Sequence, residues 1–242
     1  MIRVDGVRFG FTEPLLDGLS FEVPAGSVTA VLGPSGSGKS TILRLVAGLL
    51  APEAGRVERP PASPGRAAMS LVFQDPRLLP WMTVEGNVHF ALEAAGVPRA
   101  EWAARSGPLL ERVGLGAATK LRPAALSGGM AQRAALVRAL ALRPHVLLLD
   151  EPFAAVDPLL REDLQTALQD LLAGLDTTVL LVTHDIVEAL MLAHRVLVVV
   201  GRPVRVAAAL DVGLPGPRGV DARSSEEVLA LTRAVRGALG AR

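Results

Sequence analysis

The sequence predicts an α/β fold built around a parallel sheet, and three observations support this class. Short apolar runs typical of buried strands alternate with helix-patterned stretches along most of the 242 residues. A glycine-rich loop at 33–40 joins one such apolar run to one such helix pattern. Half of the residues are apolar but only 3% are aromatic, so the core must consist of Leu, Val and Ala. Strands separated by helices pair in parallel, because the crossover returns the chain to the same end of the sheet.

The first third of the chain predicts several strands around one helix. Two alternating segments at its start are typical of edge strands and indicate a small β region with antiparallel pairing. Residues 75–81 contain two prolines and are predicted to be irregular. The predicted elements are strands at 3–9, 19–23, 28–32 and 69–73, a helix at 41–50, a turn at 52–55 and a Pro-rich loop at 59–65.

The middle of the chain is rich in alanine and predicts helices. A helical pattern covers 83–115, with expected breaks at 96–98 and 107–108, where Gly precedes Pro. The remaining predicted elements are strands at 145–149, 177–183 and 196–200, helices at 158–172, 186–193 and 224–239, and a Pro/Gly linker at 213–219. We therefore expect one domain with a core at 1–82 and 143–212, a helical subdomain at 83–142 and a tail at 213–242.

The glycine-rich loop matches the phosphate-binding P-loop pattern, since it follows a strand and opens a helix. Its glycines allow successive N–H groups to point inward at phosphate oxygens. The lysine can reach the β- and γ-phosphates, and the serine after it can bind Mg²⁺. The loop reads Gly33-Pro34-Ser35-Gly36-Ser37-Gly38-Lys39-Ser40, followed by Thr41.

A Gly/Ser-rich turn that fits the P-loop pattern by chance is the alternative. Of the 25 basic residues, only Lys39 and Lys120 are lysines, and all others are arginines. A compact ammonium fits inside a phosphate loop, whereas a planar guanidinium does not. The retained lysine therefore favours a nucleotide-binding loop.

Composition excludes several classes of protein. The net charge of +1 arises from interspersed charges, so no basic stripe for nucleic acid is expected. The absence of cysteine excludes disulfides, thiolate metal sites and a Cys nucleophile. The longest apolar runs are about six to eight residues, short of the ~20 that span a bilayer, and the N-terminus lacks the apolar stretch of a signal peptide. We expect a soluble chain that reaches a membrane only through a partner.

Five stretches follow the P-loop in a definite order. Gln74 ends a strand, the segment Leu126-Ser127-Gly128-Gly129-Met130-Ala131-Gln132-Arg133 opens a helix, Asp150 and Glu151 end an apolar strand, Asp157 follows closely, and His184 stands past the next strand. With the P-loop, this set resembles the ATPase subunit of ABC transporters over nearly the whole chain. The Leu-Ser-Gly-Gly signature is nearly unique to that family. The resemblance implies an ABC-type P-loop NTPase core that binds ATP and Mg²⁺.

The resemblance also implies a role for each polar residue around the phosphates. Asp150 is the Walker B aspartate that holds Mg²⁺, together with Ser40. Glu151 is the general base that polarises the attacking water. Gln74 is an Mg²⁺ and water ligand that moves with the transmembrane partner, and His184 contacts the γ-phosphate. Lys39 belongs to the catalytic set as well.

Other residues of the family act on adenine and across a dimer. Ser127, Gly128 and Gly129 start a helix, which is an anion site, and in the family they cap the γ-phosphate bound by a second copy in a head-to-tail dimer. Asp157 lies at that interface. Phe9 matches the aromatic residue that stacks on adenine, and Phe11 could take its place. The alternative for Phe9, a structural role in the core of the β region, remains open.

The stretch Phe73-Gln74-Asp75-Pro76-Arg77-Leu78-Leu79-Pro80-Trp81 resembles the nitrate, sulfonate and taurine importers within this family. That subfamily implies membrane permease subunits, an extracytoplasmic solute-binding protein and a place on the cytoplasmic face of the inner membrane. An exporter or lipoprotein-release ATPase of the same fold is one alternative. A soluble ABC ATPase acting on DNA or ribosomes is another, although no second cassette or basic surface is present.

Overall fold

A computed structural model describes residues 1–154, 156 and 158–240. The chain divides into two compact units: the first unit is Met1–Pro60 with Thr178–Arg242, and the second unit is Pro61–Thr177. In chain order the elements are β1 (Ile2–Gly10), β2 (Pro14–Val23), β3 (Val28–Leu32), α1 (Lys39–Ala47), β4 (Ala54–Glu58), β5 (Met69–Val72), α2 (Val84–Ala94), α3 (Arg99–Arg112), α4 (Gly128–Leu140), β6 (Val146–Asp150), α5 (Pro158–Leu172), β7 (Thr178–Thr183), α6 (Ile186–Leu192), β8 (Arg195–Val200), β9 (Arg205–Asp211) and α7 (Glu226–Gly240).

The first unit contains a small antiparallel sheet, as the sequence predicts. Its strand order is β2-β1-β4, with Val4 opposite Phe21 on one side and Val57 on the other. Ile2 and Val4 are buried in β1, and after a register shift Val7 and Phe9 are buried, because period-2 alternation turns one face of each part of the strand to the core. That face shares an apolar space with α1, lined by Val4, Val7, Leu16, Leu19, Ile42, Leu45, Val46 and Val57.

The first unit also contains strands in the order β7-β3-β8-β9. The pairs β3–β7 and β3–β8 are parallel, with Ala30 opposite Leu181 and Val196, and β9 adds an antiparallel edge. All residues of β7 are buried, which is why it appears in the sequence as a continuous apolar run. Arg218 is 7% exposed and donates to the carbonyls of Leu190 and Ala193, so it fixes the 213–219 segment to the end of α6.

The second unit pairs β5 with β6 in parallel and surrounds them with α2, α3, α4 and α5. Helix α4 is the most deeply buried, with eight buried residues along its 13. The Ser70 hydroxyl of β5 donates to the Ala139 carbonyl near the end of α4 at 3.0 Å. Within the part of the chain that the structure describes, no helix has both the length and the apolar character needed to cross a bilayer.

Three details of the predicted fold are wrong. The expected turn at 52–55 is too long, since β4 already begins at Ala54. The polar segment Ala54–Glu58 forms a strand because it pairs with β1 at the edge of the sheet. The break expected at 107–108 is absent, since α3 continues through Pro108 and buries Arg105, Ser106 and Leu110. Strand β9 lies in a stretch for which the alanine-rich pattern predicts no element. The strand at 28–32 and the helix at 158–172 match the prediction at both ends.

Candidate nucleotide-binding site

The P-loop joins β3 to α1 in the first unit, and its glycines meet three separate geometric demands. Gly36 and Gly38 have φ of +75° and +91°, in the left-handed region that side chains disfavour. A Cβ on Gly33 would lie 2.6 Å from the Val199 carbonyl oxygen of β8. The loop therefore passes close to β8 and then takes two left-handed turns that glycine can adopt.

The start of α1 is arranged to receive an anion. The N-cap residue is Gly38, so no side chain caps the first N–H groups, and the first turn has no acidic residue. These N–H groups and the positive end of the helix dipole favour a negative charge at this place. The hydroxyl of Ser37 is buried and has no hydrogen-bond partner among the residues that the structure describes, as expected for a donor that a phosphate oxygen would accept from.

Lys39 is the most buried charged group of the loop, at 3% exposure. Its Nζ donates to the carbonyls of Gly33 at 3.0 Å and Pro34 at 2.9 Å. The ammonium therefore lies inside the curve of the loop. A buried ammonium with three donors is placed to share its charge with a phosphate.

His184 follows the C-terminal end of β7 in the same unit and is exposed. The next residue, Asp185, caps α6 by accepting from the Glu188 N–H at 3.0 Å. The N–H of Gly33 donates to the Thr183 carbonyl at 3.4 Å, so the first P-loop residue is bonded to the residue before His184. The structure thus places this predicted phosphate contact at the same strand ends as the P-loop.

The second unit places Gln74 and Glu151 at one edge of its parallel strand pair. Val72 of β5 lies opposite Leu149 of β6, so the two residues that follow each strand end come out at the same edge. Asp150 is 8% exposed, and Gln74 is exposed. Glu151 has φ of +44°, a conformation that costs free energy in a non-glycine residue and recurs at functional sites.

The signature residues form an exposed helix start. Ser127 is the N-cap of α4, and its hydroxyl accepts from the Met130 N–H at 3.2 Å. Ser127 and Gly128 are exposed, and a Cβ on Gly128 would meet nothing within 4 Å. Gly129 is buried, and a Cβ there would overlap the Leu160 side chain. Asp157, the predicted interface aspartate, lies outside the described residues.

The two candidate aromatics for adenine are in contact but differ in exposure. Phe9 lies in the core of the antiparallel sheet at 9% exposure, while Phe11 is 72% exposed. Their rings meet edge to face, with centroids 5.1 Å apart. Stacking on a base requires an open ring face, so the geometry favours Phe11, with Phe9 as its support.

The residues predicted to hold Mg²⁺ have suitable chemistry. Ser40, Gln74 and Asp150 each offer an oxygen donor, the type that Mg²⁺ prefers. Among the described residues, no group of three or more His, Cys, Asp or Glu side chains is placed to hold a metal.

Two residues that lack any sequence signal organise the loop after Gln74. The side chain of Asn87 on α2 accepts from the Leu79 N–H at 2.7 Å and donates to the Leu79 carbonyl at 3.2 Å. Arg138 on α4 donates to the carbonyls of Arg77 and Pro76. A lone Asn or Arg in a helical pattern is usually a solvated residue, so neither could be singled out from the sequence.

These features define a class: an α/β protein that carries a P-loop and, in its second unit, carboxylates at a strand end, which are residue types that nucleoside-triphosphate hydrolases use. The family model described as ABC transporter matches residues 16–154. The chain therefore belongs to the ABC transporter family, as one of its ATP-hydrolysing subunits.

Relatives and solved structures agree with this assignment. The chain is 46% identical to "Aliphatic sulfonates import ATP-binding protein SsuB 1" of Pseudomonas savastanoi pv. phaseolicola, over 90% of this chain and 87% of that protein. It is 47% identical to the protein of the same name from Pseudomonas aeruginosa, over 84% and 83%. CbiO1 of Clostridium perfringens, part of the ABC transporter complex cbiONQ, superposes with a TM-score of 0.78 at 26% identity, covering 97% of both chains. The cassette MJ0796, a dimer in a post-hydrolysis state with ADP and Pi, gives 0.73 at 26% identity, over 89% of this chain and all of that one.

Proposed function

We propose that this ATPase energises the uptake of an oxyanionic solute of the aliphatic sulfonate class through a separate membrane permease. The observation that carries the proposal is the identity of 46–47% to ATPases named for aliphatic sulfonate import. The segment 73–81, which the sequence identifies with nitrate, sulfonate and taurine importers, supports the same subfamily.

We infer the following roles for the chain's own residues. The P-loop N–H groups and Lys39 bind the β- and γ-phosphates. Ser40, Gln74 and Asp150 would hold Mg²⁺, which when bound supplies positive charge to the phosphate oxygens. Glu151 accepts the proton of the attacking water, and His184 contacts the γ-phosphate. Electrostatic positioning of this kind is the main source of rate in phosphoryl transfer.

We propose three partners. A second copy of the chain completes each site with Ser127, Gly128 and Gly129, and Asp157 lies at that interface. Membrane permease subunits bind the second unit and hold the chain at the cytoplasmic face of the inner membrane. An extracytoplasmic solute-binding protein supplies the solute. We assign the helical subdomain at 83–142 to the permease contact.

Exposed apolar side chains in the second unit support a permease contact. Trp81 is 66% exposed, Phe90 46% and Leu121 40%. Large apolar side chains at such exposure are typical of protein interaction sites when several occur together in one region. Trp81 follows the loop that begins at Gln74, so a permease bound here would act on a residue of the phosphate site.

Uptake of labelled ethanesulfonate and taurine by cells that lack the chromosomal copy tests the proposal. Plasmid-borne wild type is expected to restore uptake, and Glu151→Gln is expected to restore none. Trp81→Ala should lower uptake about tenfold or more while the ATPase of the isolated chain changes less than about twofold, because an interface aromatic acts only on the partner.

Leu229→Ala is the matched control for Trp81→Ala. Leu229 is 46% exposed on α7 in the first unit, and its truncation should leave uptake unchanged. If cells with and without the chain take up sulfonates at the same rate, the proposed solute is wrong. If the chain drives net export of sulfonates, the proposed direction is wrong. Equal effects of Trp81→Ala and Leu229→Ala on uptake would contradict the permease contact.

A further inference from the structure

The loop between Gln74 and α2 is held in a strained conformation. Arg77 has φ of +48°, a left-handed value that is uncommon for a residue with a side chain. Its guanidinium lies over the Phe73 ring, 3.7 Å from the centroid. The Asp75 carboxylate accepts from the Arg77 N–H at 3.2 Å, which tightens the turn directly after Gln74. A loop in such a conformation persists only where its surroundings impose it.

Arg138 holds the loop in that conformation from α4, the helix that begins at the signature residues and is called the signature helix below. Its Nη1 donates to the Arg77 carbonyl at 2.7 Å, and its Nη2 donates to the Pro76 carbonyl at 2.8 Å. The planar fork of a guanidinium can hold two successive carbonyls at fixed geometry, which an ammonium cannot do. Burial lowers the pKa of Arg138 below its usual value, so the charge is partly desolvated and depends on these two acceptors.

The same helix carries the signature at its other end. Helix α4 begins at Gly128, and ten residues at 1.5 Å each place Arg138 about 15 Å along its axis. The residues between are mostly buried, so the helix is packed along its length from the signature to Arg138. The bond from Ser70 to the Ala139 carbonyl joins the strand before Gln74 to this same end of α4. Gln74 is therefore flanked on both sides by attachments to α4.

We propose that Arg138 is a positioning residue that couples the loop after Gln74 to the signature helix, so that the two phosphate-contacting segments move together. The proposal rests on the proposed roles of Gln74 and of Ser127 to Gly129 at the γ-phosphate. A displacement of the loop, whether by nucleotide or by a bound partner, is then passed along α4 to the residues that contact the second copy's nucleotide.

Asn87 attaches the other end of the loop to a different helix. It is fully buried and holds Leu79, Met82 and Thr83 to α2, a helix that carries no phosphate contact. The two ends of the loop are thus attached to different helices. Of these two attachments, the one through Arg138 is made directly to α4, which carries the signature at its other end.

A double-mutant cycle between Arg138→Met and Gln74→Ala tests the proposal on the ATPase of the isolated full-length chain. Methionine keeps much of the buried stem and removes the fork. Arg138→Met is expected to lower kcat about tenfold with less than a twofold change in KM for ATP, because the P-loop that binds ATP is untouched. In the Gln74→Ala background the same change should cost less than about threefold, since both substitutions act through one loop.

Arg133→Met is the matched control. Arg133 lies on the same helix and also donates to a main-chain carbonyl, that of Val113 at 2.9 Å, outside the loop after Gln74. Its effect on kcat should multiply with that of Gln74→Ala. Arg138→Lys, which keeps the charge and can reach one carbonyl, should recover part of the lost kcat. If Arg138→Met does not fold, the cycle is run with Arg138→Lys, with a smaller expected loss and the same non-additivity.

Two results would overturn the coupling. One is a wild-type kcat in the folded Arg138 variant. The other is a loss that multiplies with that of Gln74→Ala as the Arg133 control does. Because the assay needs neither permease nor sulfonate, this failure is distinct from a failure of the proposed import function, which the uptake assay measures.

Discussion

Glu151 differs from the neighbouring Asp150 in backbone as well as in proposed role. Asp150 ends β6 in an ordinary buried strand position, while Glu151 has φ of +44°. A strained residue is held in its conformation by its surroundings, and a conservative substitution should keep the backbone while changing the chemistry. The amide of glutamine cannot accept the water proton.

Glu151→Gln is therefore expected to bind ATP with an affinity within about twofold of wild type and to lower kcat by about 10²–10⁴, the usual contribution of a general base. Single-turnover hydrolysis and equilibrium ATP binding measure the two quantities. Lys39→Ala is the comparison, since it should weaken both binding and turnover. Turnover of Glu151→Gln near the wild-type rate would show that another residue is the base.

The aromatic pair at the end of β1 allows a second residue-level test. Phe11→Ala removes the exposed ring and should weaken ATP binding by about 1–3 kcal/mol, the scale of base stacking. Phe11→Trp should preserve the affinity. The affinity for inorganic triphosphate, which has no base, should not change in either variant.

Phe9→Ala is expected to differ from Phe11→Ala by its effect on protein stability. Because Phe9 is 9% exposed, its loss should lower the melting temperature as well as the affinity. If Phe11→Ala binds ATP as wild type does and a folded Phe9→Ala does not, the stacking residue is Phe9, as the sequence alone predicts.

Whether a residue of the candidate site could be predicted from the sequence depends on how close together in the chain its partners lie. The P-loop pattern lies within eight consecutive residues, so it can be found in the sequence without knowing the fold, and Gly36 and Gly38 have the positive φ angles that glycine favours. Arg138 and Asn87 could not be predicted in this way. Arg138 donates to main-chain carbonyls 61 and 62 positions away along the chain. Because every residue has such a carbonyl, the sequence does not mark which ones Arg138 binds.

At the scale of elements, the parallel strands were predictable because burial on both faces makes them continuous apolar runs. The edges were not. Strand β4 is mostly exposed and polar, and β9 is rich in alanine, so both depend on pairing with a neighbour rather than on their own pattern. Helix α3 continues past Pro108 because the tertiary contacts of its buried residues outweigh the lost hydrogen bond.

The start of β3, which leads into the P-loop, is joined to the start of β8 through His194. The ring Nδ1 accepts from the Val28 N–H at 3.0 Å, so this nitrogen must be unprotonated. Burial, and then the positive charge of Arg218, lower the pKa of His194 below its ordinary value. The unfolded chain therefore takes up this proton first, and the free energy of unfolding falls as the pH drops below about 6.5.

His194→Asn should reduce that dependence, since the asparagine oxygen can accept from Val28 and does not titrate. Thermal unfolding at pH 7.5 and pH 5.5 measures the effect. Wild type is expected to lose more melting temperature between these pH values than His194→Asn. Losses of equal size in the two proteins would mean that His194 makes no contribution to the acid sensitivity, because all other titrating groups are shared.

At the scale of the whole molecule, the groups that we propose to contact phosphate fall into two sets. The P-loop and His184 belong to the first unit, whereas Gln74, Glu151 and the signature belong to the second. The helix start at Ser127 and Gly128 is exposed, and the positive end of its helix dipole favours an anion. A two-fold dimer would use each signature once, at the nucleotide of the partner.

Mixing two inactive variants tests this arrangement. Lys39→Ala damages the P-loop, and Ser127→Arg blocks the signature, so each homodimer should have two damaged sites and little ATPase. A heterodimer has one intact site, formed by the P-loop of the Ser127→Arg chain and the signature of the Lys39→Ala chain, and one site with both lesions. Mixtures should therefore recover activity up to about half of that of wild type per heterodimer, because one of two equivalent sites is restored. Differently tagged chains purified as heterodimers on ATP give this number directly.

Full activity of Ser127→Arg alone would contradict a signature that acts across the dimer. A purified heterodimer as inactive as both parents would contradict two sites that work independently.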